Sequence, residues 1–352
     1  MKRNVRFAVF GMGKMGSRML RYAVNHGGEL VAAFTRSSHL GEDAGTVAEL
    51  APLGVPIEAF GSAPQRLAEM KPDICLVAAR GTMAGQMEIF RVCAENGCNV
   101  LTIGENCQWP WTEAPELAKE ADALAKRYGV TFSASGCPEV PWGALAATMA
   151  ACCARVDRIR VEANLNLEFY GKGVLPLYPE HGINITMEEF QQKFAAVEPI
   201  TQVDGHWPCL PGDQNGWLCA CMGLTPVRQT AWHEPITYHA PVWSQNLEAE
   251  IPAGRLLGMN MIVSTETKEG ITIEFAMAGK VFSPEDTENY VLQVYGEPDY
   301  RVVVEQPVSP IFTAATPVNR IPDIINAEPG FITAESLPAI HYLVKPMHEY
   351  IK

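Results

Sequence analysis

Gly11-Met12-Gly13-Lys14-Met15-Gly16 begins directly after the apolar run 5–10 and opens a helical pattern. That placement makes an otherwise common glycine spacing informative. The three glycines allow a tight turn, close approach of backbone to a pyrophosphate, and close helix–strand packing, with the anion at the positive helix end. Positions 11–16 (Gly11, Met12, Gly13, Lys14, Met15 and Gly16) are therefore candidate dinucleotide contacts; the plainer reading is a glycine-rich turn without a ligand.

The end of the second predicted strand selects the dinucleotide. An acid there would accept the ribose 2′-hydroxyl of NAD. The chain instead reads Phe34-Thr35-Arg36-Ser37-Ser38. One cation and three hydroxyls (Thr35, Arg36, Ser37 and Ser38) suit a 2′-phosphate, which needs charge-assisted donors. Glu42 and Asp43 come several residues too late to take the acid's place. NADP(H) is the expected cofactor, with NAD also usable; the alternative is an Arg36 that only solvates a loop.

In open α/β sheets the ligand lies beyond the carboxyl ends of the strands. Ala78-Ala79-Arg80-Gly81 is a small turn able to pass along the cofactor, so Ala79, Arg80 and Gly81 join the cofactor set. At the next end stands Ile103-Gly104-Glu105-Asn106, followed by Trp109-Pro110-Trp111. A carboxylate beside an aromatic wall in a partly dry cleft can have its pKa raised, which suits proton transfer near neutrality. Ionised, it could hold a cationic amine. The bland alternative is a cap for the helix after Thr112, a task that Thr112 and Glu113 can perform themselves. Ser135-Gly136-Cys137-Pro138 is the third end; Trp109, Gly136, Cys137 and Pro138 are candidate substrate contacts. No histidine beside Cys107 or Cys137 would activate a thiol, so both read as structural. The eight histidines form no HxxxH or HExxH pattern, and no metal site is expected. Trp207, Trp217, Trp232 and Trp243 are candidates for a pocket lining, or equally for core or interface.

The elements that position these groups follow from periodicity. Apolar runs at 5–10, 30–34, 74–79, 100–103 and 130–135 alternate with helical patterns at 15–25, 83–96 and 114–128. That alternation predicts a doubly wound parallel α/β domain of the Rossmann type. Beyond residue 154 the pattern changes. A long strand over 156–170, hairpins over 255–278 and 290–304, and a helix over 187–196 predict an α+β domain with a mainly antiparallel sheet. The expected organisation is 1–154 for the nucleotide, 155–310 for substrate and dimerisation, and a Pro-rich segment 311–352 that returns to the first domain.

Composition narrows the partners. The 352 residues are 47% hydrophobic and 19% charged, with 27 basic against 40 acidic residues and a net charge of −13. An acidic chain lacks the basic face that nucleic acid requires. No apolar run of membrane-spanning length and no secretion leader are evident, and the ten cysteines show no CxxC, so a cytoplasmic protein with reduced thiols is expected. An antiparallel sheet with one free face makes a homodimer the expected assembly.

With these residues in hand, the chain resembles the 2,4-diaminopentanoate dehydrogenase family and the related native amine dehydrogenases, a group whose first domain looks like dihydrodipicolinate reductase. The resemblance spans most of the chain. It rests on the Gly11–Gly16 loop, on Asn99-Val100-Leu101-Thr102-Ile103-Gly104-Glu105, and on the following Pro115-Glu116-Leu117-Ala118…Asp122-Ala123-Leu124-Ala125-Lys126 helix. It rests also on Thr316-Pro317-Val318-Asn319-Arg320-Ile321-Pro322 with Ala327-Glu328-Pro329-Gly330. It implies reversible, nicotinamide-dependent deamination of an amine or diamino acid, or reductive amination of a ketone or aldehyde with ammonia. The glutamate after the Asn-Val strand is catalytic in such relatives and matches Glu105; it would deprotonate bound ammonium and shuttle protons as a carbinolamine loses water. Thr316 (substrate) and Asn319 (cofactor) are implied near the nicotinamide. Two departures bear on substrate: Gly136-Cys137-Pro138-Glu139 replaces a Gly-x-Asn-Pro-Gly turn, and Gly205-His206-Trp207-Pro208 replaces a simpler loop. A dihydrodipicolinate reductase-like imine or carbonyl reductase is the alternative, but the His-His and Pro-Ser-Gly-Thr motifs of that reductase are absent. A catalytically silent NADPH sensor is the other, against which Glu105 and the aromatic cleft speak.

Overall fold

Short, largely apolar strands form where the sequence alternates apolar runs with helices, because a sheet covered on both faces has no polar side. The computed structural model describes residues 3–79, 82–195, 198–200 and 210–352, with backbone only at Glu105 and 198–200. By packing, the chain divides into two units, Met1–Glu139 with Ile311–Lys352, and Val140–Pro310. The sequence pattern puts its boundary later, after residue 154. The difference arises because residues 142–143 pack with the second unit, Trp142 against Phe275 and Gly143 under the ring of Trp217.

The first unit opens with strands β1 (Arg6–Phe10), β2 (Glu29–Thr35), β3 (Ile57–Ala59), β4 (Ile74–Val77), β5 (Asn99–Thr102) and β6 (Thr131–Ala134). Helices α1 (Lys14–Asn25), α2 (Ala44–Val47), α3 (Ala63–Met70), α4 (Met83–Glu95), α5 (Pro110–Glu113) and α6 (Pro115–Tyr128) connect them. Side chains alternate between two cores. Phe7, Val9, Leu76 and Leu101 pack with Met19, Leu20 and Ala23 of α1. Ala8, Phe10, Cys75, Val77, Val100 and Phe132 pack with Phe90 of α4 and Ala121 and Ala125 of α6.

The second unit holds helices α7 (Leu145–Ala150), α8 (Met187–Lys193) and α9 (Leu210–Met222). Its strands are β7 (Arg155–Asn166), β8 (Glu198–Ile200), β9 (Pro226–Thr237), β10 (Val242–Ser244), β11 (Ala249–Ile251), β12 (Leu256–Thr267), β13 (Thr272–Lys280), β14 (Asn289–Glu297) and β15 (Tyr300–Glu305). Seven of them form one sheet in the order β15-β14-β7-β13-β12-β9-β8. The β12–β13 and β14–β15 hairpins match the expected ones, and the sheet is antiparallel except where β13 runs parallel to β7. Along β7, Ile159, Val161, Ala163 and Leu165 are buried, while Arg158, Arg160, Glu162 and Asn164 on the opposite face are half-buried.

Helix α10 (Ser309–Asn326) carries the chain back to the first unit, where β16 (Gly330–Phe331) pairs parallel with β6. The first sheet is thereby seven parallel strands in the order β16-β6-β5-β4-β1-β2-β3. Val318, Ile321 and Ile324 of α10, with Leu343 and Met347 beyond it, enter the same core as α1. Among the described residues no helix is long and apolar enough to cross a membrane.

Candidate functional site

The glycine loop joins β1 to α1 as its spacing predicts. Gly11 has φ +92° and donates to the Phe34 carbonyl at 2.8 Å; a Cβ there would lie 2.7 Å from the Ala78 carbonyl oxygen. At Gly16 a Cβ would stand 1.7 Å from the Gly11 carbonyl oxygen, so helix and strand approach as closely as only glycine permits. Gly13 differs: nothing lies within 4 Å of its Cβ position, and as the cap of α1 it offers no side-chain hydrogen bond to the first turn. Open space in front of uncapped N–H groups fits a pyrophosphate. Met12 is buried, Met15 half-buried and Lys14 exposed. Partial burial and the adjacent Arg18 both lower the Lys14 pKa.

At the end of β2, Thr35 is buried and its Oγ1 lies 3.1 Å from Ser38 Oγ, while the Ser38 N–H donates to it at 3.3 Å. The turn so formed leaves Arg36, Ser37 and Ser38 exposed, with the Arg36 guanidinium 5.9 Å from the Phe60 ring centroid. Neither downstream acid is idle. Glu42 pairs with His39 at 3.0 Å. Asp43 accepts from the N–H groups of Thr46, Leu53 and Gly54 at 2.9, 3.1 and 2.7 Å.

Beyond β4, Ala79 stands at the strand end; Arg80 and Gly81 lie outside the described residues. Beyond β5, Gly104 donates to Thr102 Oγ1 at 2.9 Å, and Glu105 opens the 3-10 turn Glu105–Cys107, closed by Cys107 N–H on the Gly104 carbonyl at 3.1 Å. Trp109 is half-buried at the start of α5, and Trp111 meets the Phe331 ring edge-on at 6.2 Å, as part of the core.

Beyond β6, Gly136, Cys137 and Pro138 are buried. A Cβ on Gly136 would lie 3.4 Å from Gln108 Nε2 and 3.8 Å from Thr313 Cγ2. The loop after β5, the turn after β6 and the first turns of α10 thus converge on Gly136. Sequence reading missed Gln108 and Thr313, which carry no motif. It also missed the buried Glu139, whose carboxylate accepts from Ser135 Oγ at 2.5 Å and from Arg320 Nε at 2.7 Å. The Ser-x-x-x-Glu spacing across a turn, opposite an arginine in an apolar helix, was the available signal.

Two residues implied by resemblance lie on α10. Thr316 donates to the Phe312 carbonyl within α10 at 2.8 Å, and Asn319 Oδ1 accepts the Leu343 N–H at 3.1 Å, fastening the C-terminal strap. The described tryptophans proposed as a pocket lining have separate surroundings. Trp217 is buried over Gly143, Trp232 bonds Glu234 at 3.4 Å, Trp243 is exposed, and Trp207 lies outside the described residues, as do residues 205–208 altogether. The nine described cysteines lie outside any disulfide, and no group of three or more His, Cys, Asp or Glu among the described residues is arranged to hold a metal.

Comparison with known proteins agrees with this architecture. Residues 143–352 match the 2,4-diaminopentanoate dehydrogenase C-terminal domain, and residues 5–102 match the N-terminus of dihydrodipicolinate reductase. The chain is 28% identical over 344 residues to a 2,4-diaminopentanoate dehydrogenase from Acetoanaerobium sticklandii, covering 95% of this chain and 93% of that one. An amine dehydrogenase structure from Mycobacterium smegmatis superposes with a TM-score of 0.85 at 30% identity, over 96% and 97% of the two chains. A biliverdin reductase from Synechocystis, solved with biliverdin and NADP+, shares the fold at a TM-score of 0.52 and 12% identity, over 98% and 96%.

Proposed function

Because the chain belongs to the 2,4-diaminopentanoate dehydrogenase family, and so is a nicotinamide-dependent oxidoreductase acting on CH–NH2, we propose that it prefers NADP(H) and interconverts an amine or diamino acid with its ketone or aldehyde plus ammonia, using Glu105 as the catalytic carboxylate. One observation carries this reading. Glu105 follows β5, two strands from the glycine loop that follows β1, on the same carboxyl edge of a parallel sheet.

The Gly11–Gly16 backbone would hold the pyrophosphate, and Arg36 with Thr35, Ser37 and Ser38 would hold a 2′-phosphate. Supporting NADP over NAD, the end of β2 presents no carboxylate, and Glu42 and Asp43 are engaged elsewhere. When bound, the nicotinamide supplies hydride for amination and takes it up in deamination. Glu105 would take a proton from ammonium, freeing the nitrogen lone pair for the carbonyl carbon. The carboxyl then returns that proton to the hydroxyl that leaves the carbinolamine as water. The balance is carbonyl, ammonium and NADPH giving protonated amine, water and NADP+ when one further proton is taken up.

The half-buried face of β7, bearing Arg158, Arg160, Glu162 and Asn164, supports self-pairing of the second sheet in a homodimer. Light scattering on the wild type and an Arg158→Glu/Arg160→Glu variant tests that point; a monomeric wild type would remove it.

Steady-state assay with NADPH or NADH, ammonia and a panel of ketones and aldehydes tests the activity. Glu105→Gln should lower amination by about 10²–10⁴-fold while NADPH affinity stays within a few fold. Turnover retained in that variant would sink the assigned role, and tight NADPH binding without any turnover in the wild type would point to a sensor.

A further inference from the structure

The turn that carries Glu105 rests on the first turn of α4. Thr82 caps that helix, accepting from the Gly85 N–H at 3.4 Å. One residue into the helix, Met83 places its sulfur 3.6 Å from Cys107 Sγ, at the far side of the Glu105 turn. One turn further along, Gln86 Nε2 donates to the Ala79 carbonyl at 3.0 Å. A Cβ on Gly104 would lie 2.9 Å from the same Nε2, and 3.3 Å from both Cys107 Sγ and Thr102 Oγ1. The Gln86 amide is therefore wedged between the chain leaving β4 and the chain leaving β5.

Gln86 is wholly buried, 0% exposed, yet its Oε1 finds no hydrogen-bond partner among the described residues. A stranded buried acceptor costs stability, and a methionine of similar length would fill the space without one. Packing alone does not account for an amide here. Its donor does what no apolar side chain can: it fixes the direction of the Ala79 carbonyl while its bulk meets Gly104.

We propose that Gln86 is a positioning residue for the amine dehydrogenase reaction, an amide strut that sets the spacing between the strand end at Ala79 and the Gly104–Glu105 backbone. The inference rests on the reading of Glu105 as the catalytic carboxylate. Displacing a catalytic group by a fraction of an ångström costs rate far more than stability. Gly104 belongs to the same device, since any side chain there would push the amide aside.

Three variants of the full-length protein test this. Gln86→Met should lower kcat for amination about tenfold or more, with NADPH affinity within a few fold and a thermal midpoint close to wild type. Gly104→Ala should act in the same direction. In Gln86→Glu the carboxyl can donate to Ala79 only while protonated. Its kcat should fall as pH rises and recover as pH is lowered, relative to the wild-type profile. Wild-type kcat in Gln86→Met overturns the proposal. So does activity lost only in step with folded protein and restored on cooling, or a Gln86→Glu profile of wild-type shape should the methionine variant not fold. The reading of Glu105 fails separately, by full turnover in Glu105→Gln, whatever Gln86→Met does.

Discussion

Arg320 places both Nε and Nη2 on a single carboxylate oxygen, Oε1 of Glu139, at 2.7 and 2.6 Å, with the two residues 3% and 2% exposed. The other oxygen of Glu139 takes the Ser135 hydroxyl at 2.5 Å, and Arg320 Nη1 reaches Asp323 at 2.8 Å and the Pro338 carbonyl at 2.6 Å. This network ties the turn after β6, which contains Gly136, to α10 and to the strap beyond it. Glu139→Gln keeps the shape but leaves the guanidinium facing a neutral amide. Asp323 still pairs with Arg320, so the change weakens charge-assisted hydrogen bonds without stranding the guanidinium. The expected loss is about 2 kcal/mol, read from the urea midpoint and slope. Glu139→Gln combined with Arg320→Met should lose less than the sum of the single changes; simple additivity would show that the two residues are not coupled.

Arg36 sits exposed on the turn closed by Thr35 and Ser38. If it grips a 2′-phosphate, Arg36→Ala removes a charge-assisted bond worth about 1.5–3 kcal/mol. kcat/KM with NADPH should then fall roughly 10–100-fold, while kcat/KM with NADH stays near its wild-type value. Equal losses with both cofactors would assign Arg36 to the fold of the turn.

The strand-and-helix alternation of the first unit was legible because buried parallel strands are apolar on both faces; the glycine loop was legible from its place between strand and helix. Other parts left weaker marks. Helix α9 buries Asp213, Gln214 and Asn215 together with Trp217 and Leu218, so no apolar stripe betrays it. Its Asn215 donates to the Val263 carbonyl and to Thr265 Oγ1 at 2.9 and 3.0 Å, an arrangement decided by tertiary partners. Strand β9 buries only two of its residues and carries two prolines, which blurs its alternation. At the site, Glu105 stood out as a carboxylate at a strand end. Gln86, Gln108 and Thr313 are ordinary residues given meaning by a distance in space, which no local spacing encodes.

His181 lies against Gly279, whose Cβ position is 2.5 Å from two atoms of its ring. Burial, aided by the nearby His233, pushes its pKa down to about 4. The unfolded chain binds this proton near pH 6.5, so below that pH unfolding takes up a proton that the folded form rejects. Stability from this group is full above pH 6.5 and is lost as pH falls toward 4. Between pH 7 and pH 5 the loss is about 2 kcal/mol. His233 and His26, both lowered chiefly by burial, act in the same direction. His181→Gln should flatten the fall in urea stability between pH 7 and pH 5. An unchanged slope would place the acid sensitivity elsewhere.

Two glycines of one loop make opposite demands, which separates folding from binding. A methyl group at Gly16 would collide with the Gly11 carbonyl oxygen, whereas at Gly13 it would meet nothing of the protein within 4 Å. Gly13 also has φ −80° and ψ −169°, a conformation alanine adopts without strain. Gly16→Ala should therefore lower the thermal midpoint before any ligand is added. Gly13→Ala should melt with the wild type, because the space its methyl fills is the space a pyrophosphate needs. Its NADPH dissociation constant, from nucleotide fluorescence titration, should rise about tenfold or more. If Gly13→Ala binds NADPH as the wild type does, the phosphates do not approach the backbone there, and the loop's assignment as the pyrophosphate cradle falls with that result.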